Sequence, residues 1–304
     1  MIYLPIAEMP VNVLLVLLVS GSVGFVSGLV GVGGGFIMTP TLMFLGVPAP
    51  VAVATGASQI AATSFSGIMT QTRRKSVDWR MGMLLSVGGI VGSASGVWLF
   101  ERLLRLGQLD LLISLLYLFL LAGVGWLMLA ESYAVMRGRT HRGVSILRRP
   151  ARTIAHTLPF RIPFPRSGLY ISVIPPLVLG YLIGALAAMM GVGGGFILIP
   201  AMIYLLRMPT NVVVGTSLFQ VLIVTSLVVI LQSTATQTVD LVLAAMLMLG
   251  GVVGAQLGAR TGARLKNEHI RALLGLILLV ASVKFLLDVV VPPEEPYVLG
   301  GGLW

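Results

Sequence analysis

Apolar runs occupy residues 10–30, 36–47, 50–72, 79–101 and 108–131, and again residues 170–190, 196–207, 210–231, 240–258 and 268–290, with short polar breaks between them. Most of these runs reach the roughly 20 residues that a helix needs to cross a bilayer. The second run of each set is about half that length. The pattern predicts an all-α polytopic membrane protein with two sets of five hydrophobic segments. Residues 132–168, between the sets, are rich in Arg and Pro and contain no apolar span. The expected division is a first membrane repeat over 1–131, a basic loop over 132–168 and a second membrane repeat over 169–304.

The two sets match in sequence as well as in length. "GVGGGFIMTP" (Gly31–Pro40) returns as "GVGGGFILIP" (Gly191–Pro200), 160 residues later. Pro48, Thr55 and Gln59 correspond to Pro209, Thr216 and Gln220 at an offset of 161. Val77–Asp78 and Gly88–Gly96 correspond to Val239–Asp240 and Gly250–Gly258 at an offset of 162. So many matches with such small drift identify an internal duplication.

Composition agrees with the membrane reading. Hydrophobic residues make up 57% of the 304 and charged residues 10%, against about 25% charged in a soluble domain. The net charge of +10 is a matter of location. Eight of the 20 Lys and Arg lie between Arg137 and Arg166, four more at Arg73, Arg74, Lys75 and Arg80, and four at Arg260, Arg264, Lys266 and Arg271. Juxtamembrane clusters of this kind follow the positive-inside bias, and they lack the interleaved aromatics of a surface that stacks nucleic-acid bases. The first run has no Lys or Arg ahead of it, so it is expected to be mature structure, not a signal peptide. The absence of cysteine excludes disulfides and thiol chemistry.

Charge also sets the expected orientation. The loop after the third segment reads "RRKSVDWR" in the first half and "QSTATQTVD", with no positive charge, in the second. Equivalent loops are therefore expected on opposite sides of the cell membrane, with the 132–168 linker cytoplasmic and both termini outside. The two halves become inverted-topology repeats, each with a re-entrant or broken half-helix turning at its glycine cluster. Inverted repeats with interrupted helices are typical of transporters, and ligands tend to bind where the breaks meet.

Irregular backbone in the hydrocarbon survives only within protein or beside water. Gly33–Gly35 and Gly193–Gly195 permit a sharp turn, and the short segment after each would begin with a helix N-terminus aimed into the protein. Such an end suits a small anion; the alternative role is close helix crossing. "TGASQ" (Thr55–Gln59) and "TSLFQ" (Thr216–Gln220) put Thr and Gln on one helix face in each half. With Ser58, Ser217 and the hydroxyls of Thr63 and Ser64, they are candidate neutral donors to an anion, or else interhelical hydrogen bonds. The glycine stripes at 88, 92 and 96 and at 250, 254 and 258 read as packing faces, and also as seams on which the halves could rock. Asp78 and Asp240 read as helix caps, and Lys284 with Asp288 as an ion pair or snorkelling pair near the end of the last segment. No carboxylate or histidine at mid-span suits a proton relay. No spacing suits a metal, cofactor or catalytic triad, and neither glycine cluster carries the Lys-Ser/Thr of a phosphate-binding loop.

"GLVGVGGGFIMTP", "AAMMGVGGGFILIPAMIYLLRMP" and the T-x-x-x-Q pair of each half together resemble the TauE/SafE family of sulfite exporters and related permeases. The resemblance covers essentially the whole chain. It implies secondary, outward transport of small sulfur-containing anions such as sulfite, sulfoacetate or thiosulfate; whether proton or sodium is the coupling ion stays open. By position the family motif falls on Gly33–Gly35, Thr55, Gln59, Gly193–Gly195, Thr216 and Gln220. An anion channel and a non-transporting membrane scaffold are the rival readings; an enzyme is not expected.

Overall fold

The computed structural model describes residues 2–31, 35–136, 161–262 and 267–290. Within them ten helices follow the predicted segments. They are α1 (Val13–Val30), α2 (Gly35–Phe44), α3 (Ala49–Arg73), α4 (Trp79–Arg105), α5 (Leu109–Met136), α6 (Ile174–Met190), α7 (Gly195–Tyr204), α8 (Thr210–Ala235), α9 (Leu241–Gly262) and α10 (Asn267–Val290). Among the described residues, four helices are both long and apolar enough to cross a membrane: α4, α5, α8 and α9. The 25-residue α3 is long enough as well, but Thr55, Ser58, Gln59, Thr63 and Ser64 dilute its hydropathy, and all five are buried.

The chain is not wholly helical. Each half opens with a two-stranded antiparallel hairpin: β1 (Ile2–Leu4) with β2 (Met9–Val11), and β3 (Arg161–Phe164) with β4 (Leu169–Ser172). The apolar runs expected to begin near residues 10 and 170 therefore start as strands, and the helices begin only at Val13 and Ile174. The cause is local: Glu8 (φ 53°) and Gly168 (φ 62°) close the turns in left-handed backbone, which ends any helix. The basic stretch 132–168 contributes to two described elements, because α5 continues to Met136 and the second hairpin starts at Arg161. The rest of it, residues 137–160, lies outside the described residues.

The halves interlock. The most extensive helix pairs all join one half to the other: α1 with α9, α4 with α6, α5 with α10, and α3 with α8; next come α3 with α9 and α4 with α8. Pairing is by equivalence, the first helix of each half lying along the fourth of the other. The glycine stripes explain how closely. A Cβ on Gly92 would collide with the Tyr181 carbonyl oxygen, one on Gly96 would stand 2.7 Å from that of Ala185, and one on Gly184 would collide with that of Gly89. On the other side a Cβ on Gly254 would collide with the Gly21 carbonyl oxygen, one on Gly258 with that of Phe25, and one on Gly28 with that of Ala255. Small residues let helix backbones touch, which is how apolar helices gain attraction in lipid. The stripes are thus packing faces, but they weld opposite halves together.

Two substitutions test this. Gly92→Ala and Gly254→Ala should each destabilise the protein by about 2–4 kcal/mol, since backbone on the facing helix has nowhere to go. Gly123→Ala, on α5 with nothing within 4 Å of its Cβ position, should be neutral or stabilising by up to ~1 kcal/mol. Thermal midpoints of the three purified variants in detergent check the contrast.

Candidate functional site

The glycine clusters end one helix and begin another. Gly31 (φ 74°) and Gly191 (φ 64°) close α1 and α6 in left-handed conformation, their N–H groups bonding the Ser27 and Ala187 carbonyls at 2.8 Å. Only glycine takes this conformation cheaply at a helix end. In the second half Gly193 (φ 69°) and Gly194 (φ 71°) prolong the turn. The Gly194 carbonyl then accepts the first bonds of α7, from Ile197 N at 3.1 Å and Leu198 N at 2.9 Å. Gly195 opens α7 and Gly35 opens α2; Gly33 and Gly34 lie outside the described residues. Pro40 and Pro200 sit inside these short helices, and their missing N–H deprives the carbonyls of Phe36 and Phe196 of the usual donor four residues on.

The two turns meet in the interior. The Phe36 and Phe196 rings, each directly after its glycine cluster, lie 5.1 Å apart. The Val192 carbonyl oxygen stands 2.7 Å from the Cβ position of Gly35. The last carbonyls of α6 have no helical donor, and the first half supplies replacements: Thr39 Oγ1 donates to Gly191 O at 3.4 Å, and the buried Tyr117 hydroxyl donates to Met190 O. Tyr117 also stacks on Phe285. Sequence reasoning did not single it out, because an aromatic residue in an apolar span carries no distinguishing signal.

The T-x-x-x-Q pairs divide into two kinds of environment. Asp240 N donates to Thr55 Oγ1 at 3.1 Å, and Asp78 N donates to Thr216 Oγ1 at 3.0 Å. Each threonine thus holds the start of the fourth helix of the opposite half. Both aspartates cap their helices as expected, Asp78 Oδ1 accepting from Met81 N and Asp240 Oδ1 from Val242 N and Leu243 N. Their second oxygens take the hairpins: Asp78 Oδ2 accepts from Ser167 N at 3.1 Å and from Ser167 Oγ, and Asp240 Oδ2 accepts from Ile6 N at 3.0 Å. Thr216 further donates to Val212 O at 2.8 Å, and Ser217 to Val214 O at 2.9 Å.

The glutamines are less satisfied. Gln59 Nε2 donates to Ser20 O at 3.3 Å, beside Gly251 of α9, while its Oε1 has no partner. Gln220, fully buried, has no partner for either amide atom and lies beside Gly89 of α4. Ser58 Oγ and Ser64 Oγ are likewise buried and unpartnered. Buried polar atoms left unpaired cost on the order of 1–3 kcal/mol each and call for an explanation. The structure therefore brings together Gly35, Gly193–Gly195 and the aromatic pair. It places Gln59 and Gln220 in separate helix trios, and spends Thr55 and Thr216 on ties between the halves. Among the described residues no group of three His, Cys, Asp or Glu side chains is placed to hold a metal ion.

A family profile described as "Sulfite exporter TauE/SafE" matches residues 16–285. A "Probable membrane transporter protein" of Xylella fastidiosa (strain 9a5c) is 29% identical over 267 residues, covering 86% of this chain and 90% of that protein. "Probable membrane transporter protein YunE" of Bacillus subtilis (strain 168) is 24% identical, over 89% and 95% of the two chains. A further probable membrane transporter protein, of Methanocaldococcus jannaschii, is 23% identical over 90% and 95%. No solved structure matches.

The cross-half ties make a direct prediction. Thr216→Val strands the buried Asp78 N–H and should cost about 1–3 kcal/mol, whereas Thr216→Ser keeps the acceptor and should recover most of it. Thermal unfolding of both variants in detergent measures the difference.

Proposed function

The chain belongs to the sulfite exporter TauE/SafE family of membrane transporters, and we propose that it carries small sulfur-containing anions such as sulfite, sulfoacetate or thiosulfate outward as a secondary transporter. The observation that carries this reading is the meeting of two glycine turns, each opening a short helix, at the Phe36–Phe196 pair. Helix N-termini present N–H donors and partial positive charge, and in transporters such broken helices face the substrate from both repeats. On this reading Gly33–Gly35 and Gly193–Gly195 bind the anion through backbone, and Ser58, Ser217, Gln59 and Gln220 supply neutral donors. Thr55 and Thr216 hold α3 and α8 in register with the opposite half. Neutral donors compensate the anion's lost hydration without leaving a buried charge when the site empties.

The division into repeats 1–131 and 169–304 around a cytoplasmic linker at 132–168, inverted in the cell membrane with both termini outside, belongs to the same proposal. Alternating access then needs moving bodies that respect the glycine welds. The packing supports composites: α1, α2 and α3 move with α9, and α6, α7 and α8 move with α4. The hinge between them is the α3–α8 crossing, and α5 with α10 forms a frame outside. A proton or sodium gradient would drive the cycle.

Sulfite, sulfoacetate or thiosulfate should stabilise the purified protein thermally, by up to ~2.7 kcal/mol at a hundredfold excess over Kd. Sulfate and chloride should do so far less, and Gln59→Ala and Gln220→Ala should abolish the shift. Absence of any anion-dependent shift in well-folded protein would refute the site. Accessibility reporters inserted at residue 150 and fused after residue 290 should read cytoplasmic and external respectively; the same side for both would overturn the inverted arrangement.

A further inference from the structure

One side chain fills the space where the glycine turns meet. Ile60 Cγ1 stands 2.6 Å from the Cβ position of Gly35, and Ile60 Cγ2 stands 2.7 Å from that of Gly193. Any residue but glycine would collide with it at either turn. The duplication locates the rest of this surface. Residues four apart share a helix face, so Ile60 and Ser64 lie on one face of α3. Their counterparts at the offset of 161, Val221 and Thr225, lie on one face of α8. Val221 Cγ1 and Thr225 Cγ2 are each 3.2 Å from the Cβ position of Gly193.

The two hydroxyls on this surface are not in the same condition. Thr225 Oγ1 donates to its own helix at Val221 O, 2.7 Å away, a bond it can exchange for another acceptor by rotating. Ser64 is fully buried and its Oγ has no partner. A buried hydroxyl with nothing to bond, one turn from the side chain that touches both glycine turns, is expensive unless an acceptor visits it.

We infer that Ser64 and Thr225 are hydroxyl contacts of the transported anion, and that Ile60 occupies its place in this state and limits the size of anion that fits. The inference rests on the transport reading above and deepens it. Hydroxyl donors from both halves, Thr225 with its Cγ2 beside Gly193 just before α7 and Ser64 one turn from Ile60, suit the oxygens of a compact oxyanion. The tip of an isoleucine withdrawn from between two glycines leaves room for little more. Ile60 is thus a specificity-determining residue, and Gly35 and Gly193 are glycines partly because Ile60 must fit between them.

The test is the equilibrium binding of sulfite and of the longer sulfoacetate to purified full-length protein in detergent, by titration calorimetry. The variants are Ser64→Ala, Thr225→Val, Ile60→Ala and the milder Ile60→Val, with ligand-free thermal midpoints alongside. Ser64→Ala and Thr225→Val should each weaken sulfite binding about tenfold. Ile60→Ala should shift the preference toward sulfoacetate by about tenfold or more, with Ile60→Val intermediate and informative even if the alanine variant unfolds. A wild-type protein that binds, with all variants keeping both dissociation constants, overturns this inference and leaves the transport reading standing. A wild-type protein that binds neither anion overturns both.

Discussion

Everything in this molecule turns on the cost of ending a helix inside a bilayer. Backbone groups without partners are worth several kcal/mol in hydrocarbon, and this chain twice ends one apolar helix at a glycine cluster and begins another. It does so only where neighbours supply what is missing. Left-handed glycines fold the α1 and α6 ends back on their own carbonyls, while Thr39 and Tyr117 reach across from the first half to the last carbonyls of α6. The first N–H groups of α2 and α7 have no carbonyl four residues back within a helix, and the proposed function gives them a ligand as partner. The break that carries the proposed function is therefore the feature that the surrounding structure must stabilise.

That requirement accounts for the interlocked halves. A broken helix cannot stand alone, so each half lays its first helix along the fourth helix of the other, glycine against backbone. The buried aspartates repeat the theme at the ends. Asp78 and Asp240 each cap a helix, hold the opposite half's hairpin and give their own N–H to the opposite half's threonine. Three pieces of chain converge on each aspartate, and the hairpin and threonine bonds cross the duplication while the cap stays within one half. A motion of one half against the other would break these ties, whereas composite bodies sliding at α3 and α8 keep them.

The polar interior contrasts with this economy. Gln220, Ser58, Ser64 and one oxygen of Gln59 are buried with unpaired atoms, while elsewhere buried hydroxyls bond their own helix carbonyls, as Thr216, Ser217 and Thr225 do. These unpaired atoms, hydroxyls and amide groups alike, lie on α3 and α8, the helices at which the two proposed bodies meet.

Much of this was legible in the chain itself. Ten segments, the half-length of the second in each set and the turn at each glycine cluster followed from apolar run length and from what only glycine backbone can do. The duplication was plain from the offsets of 160 to 162, and aspartate before a helix announced its cap. What sequence could not supply was the partner of each feature. Thr55 and Gln59 share a helix face in any α3, yet only packing sends the threonine to Asp240 and the glutamine to Ser20. The hairpins that stand where helix starts were expected close on local left-handed turns, but the aspartates that fasten them, through Ile6 and Ser167, lie more than 80 residues away in sequence. Ile60 looked like any apolar residue of a membrane span until two glycine turns closed around it. Local periodicity and backbone sterics act over a few residues and are written in the chain; which helix meets which is decided by shape complementarity between segments far apart, and only the folded molecule displays it.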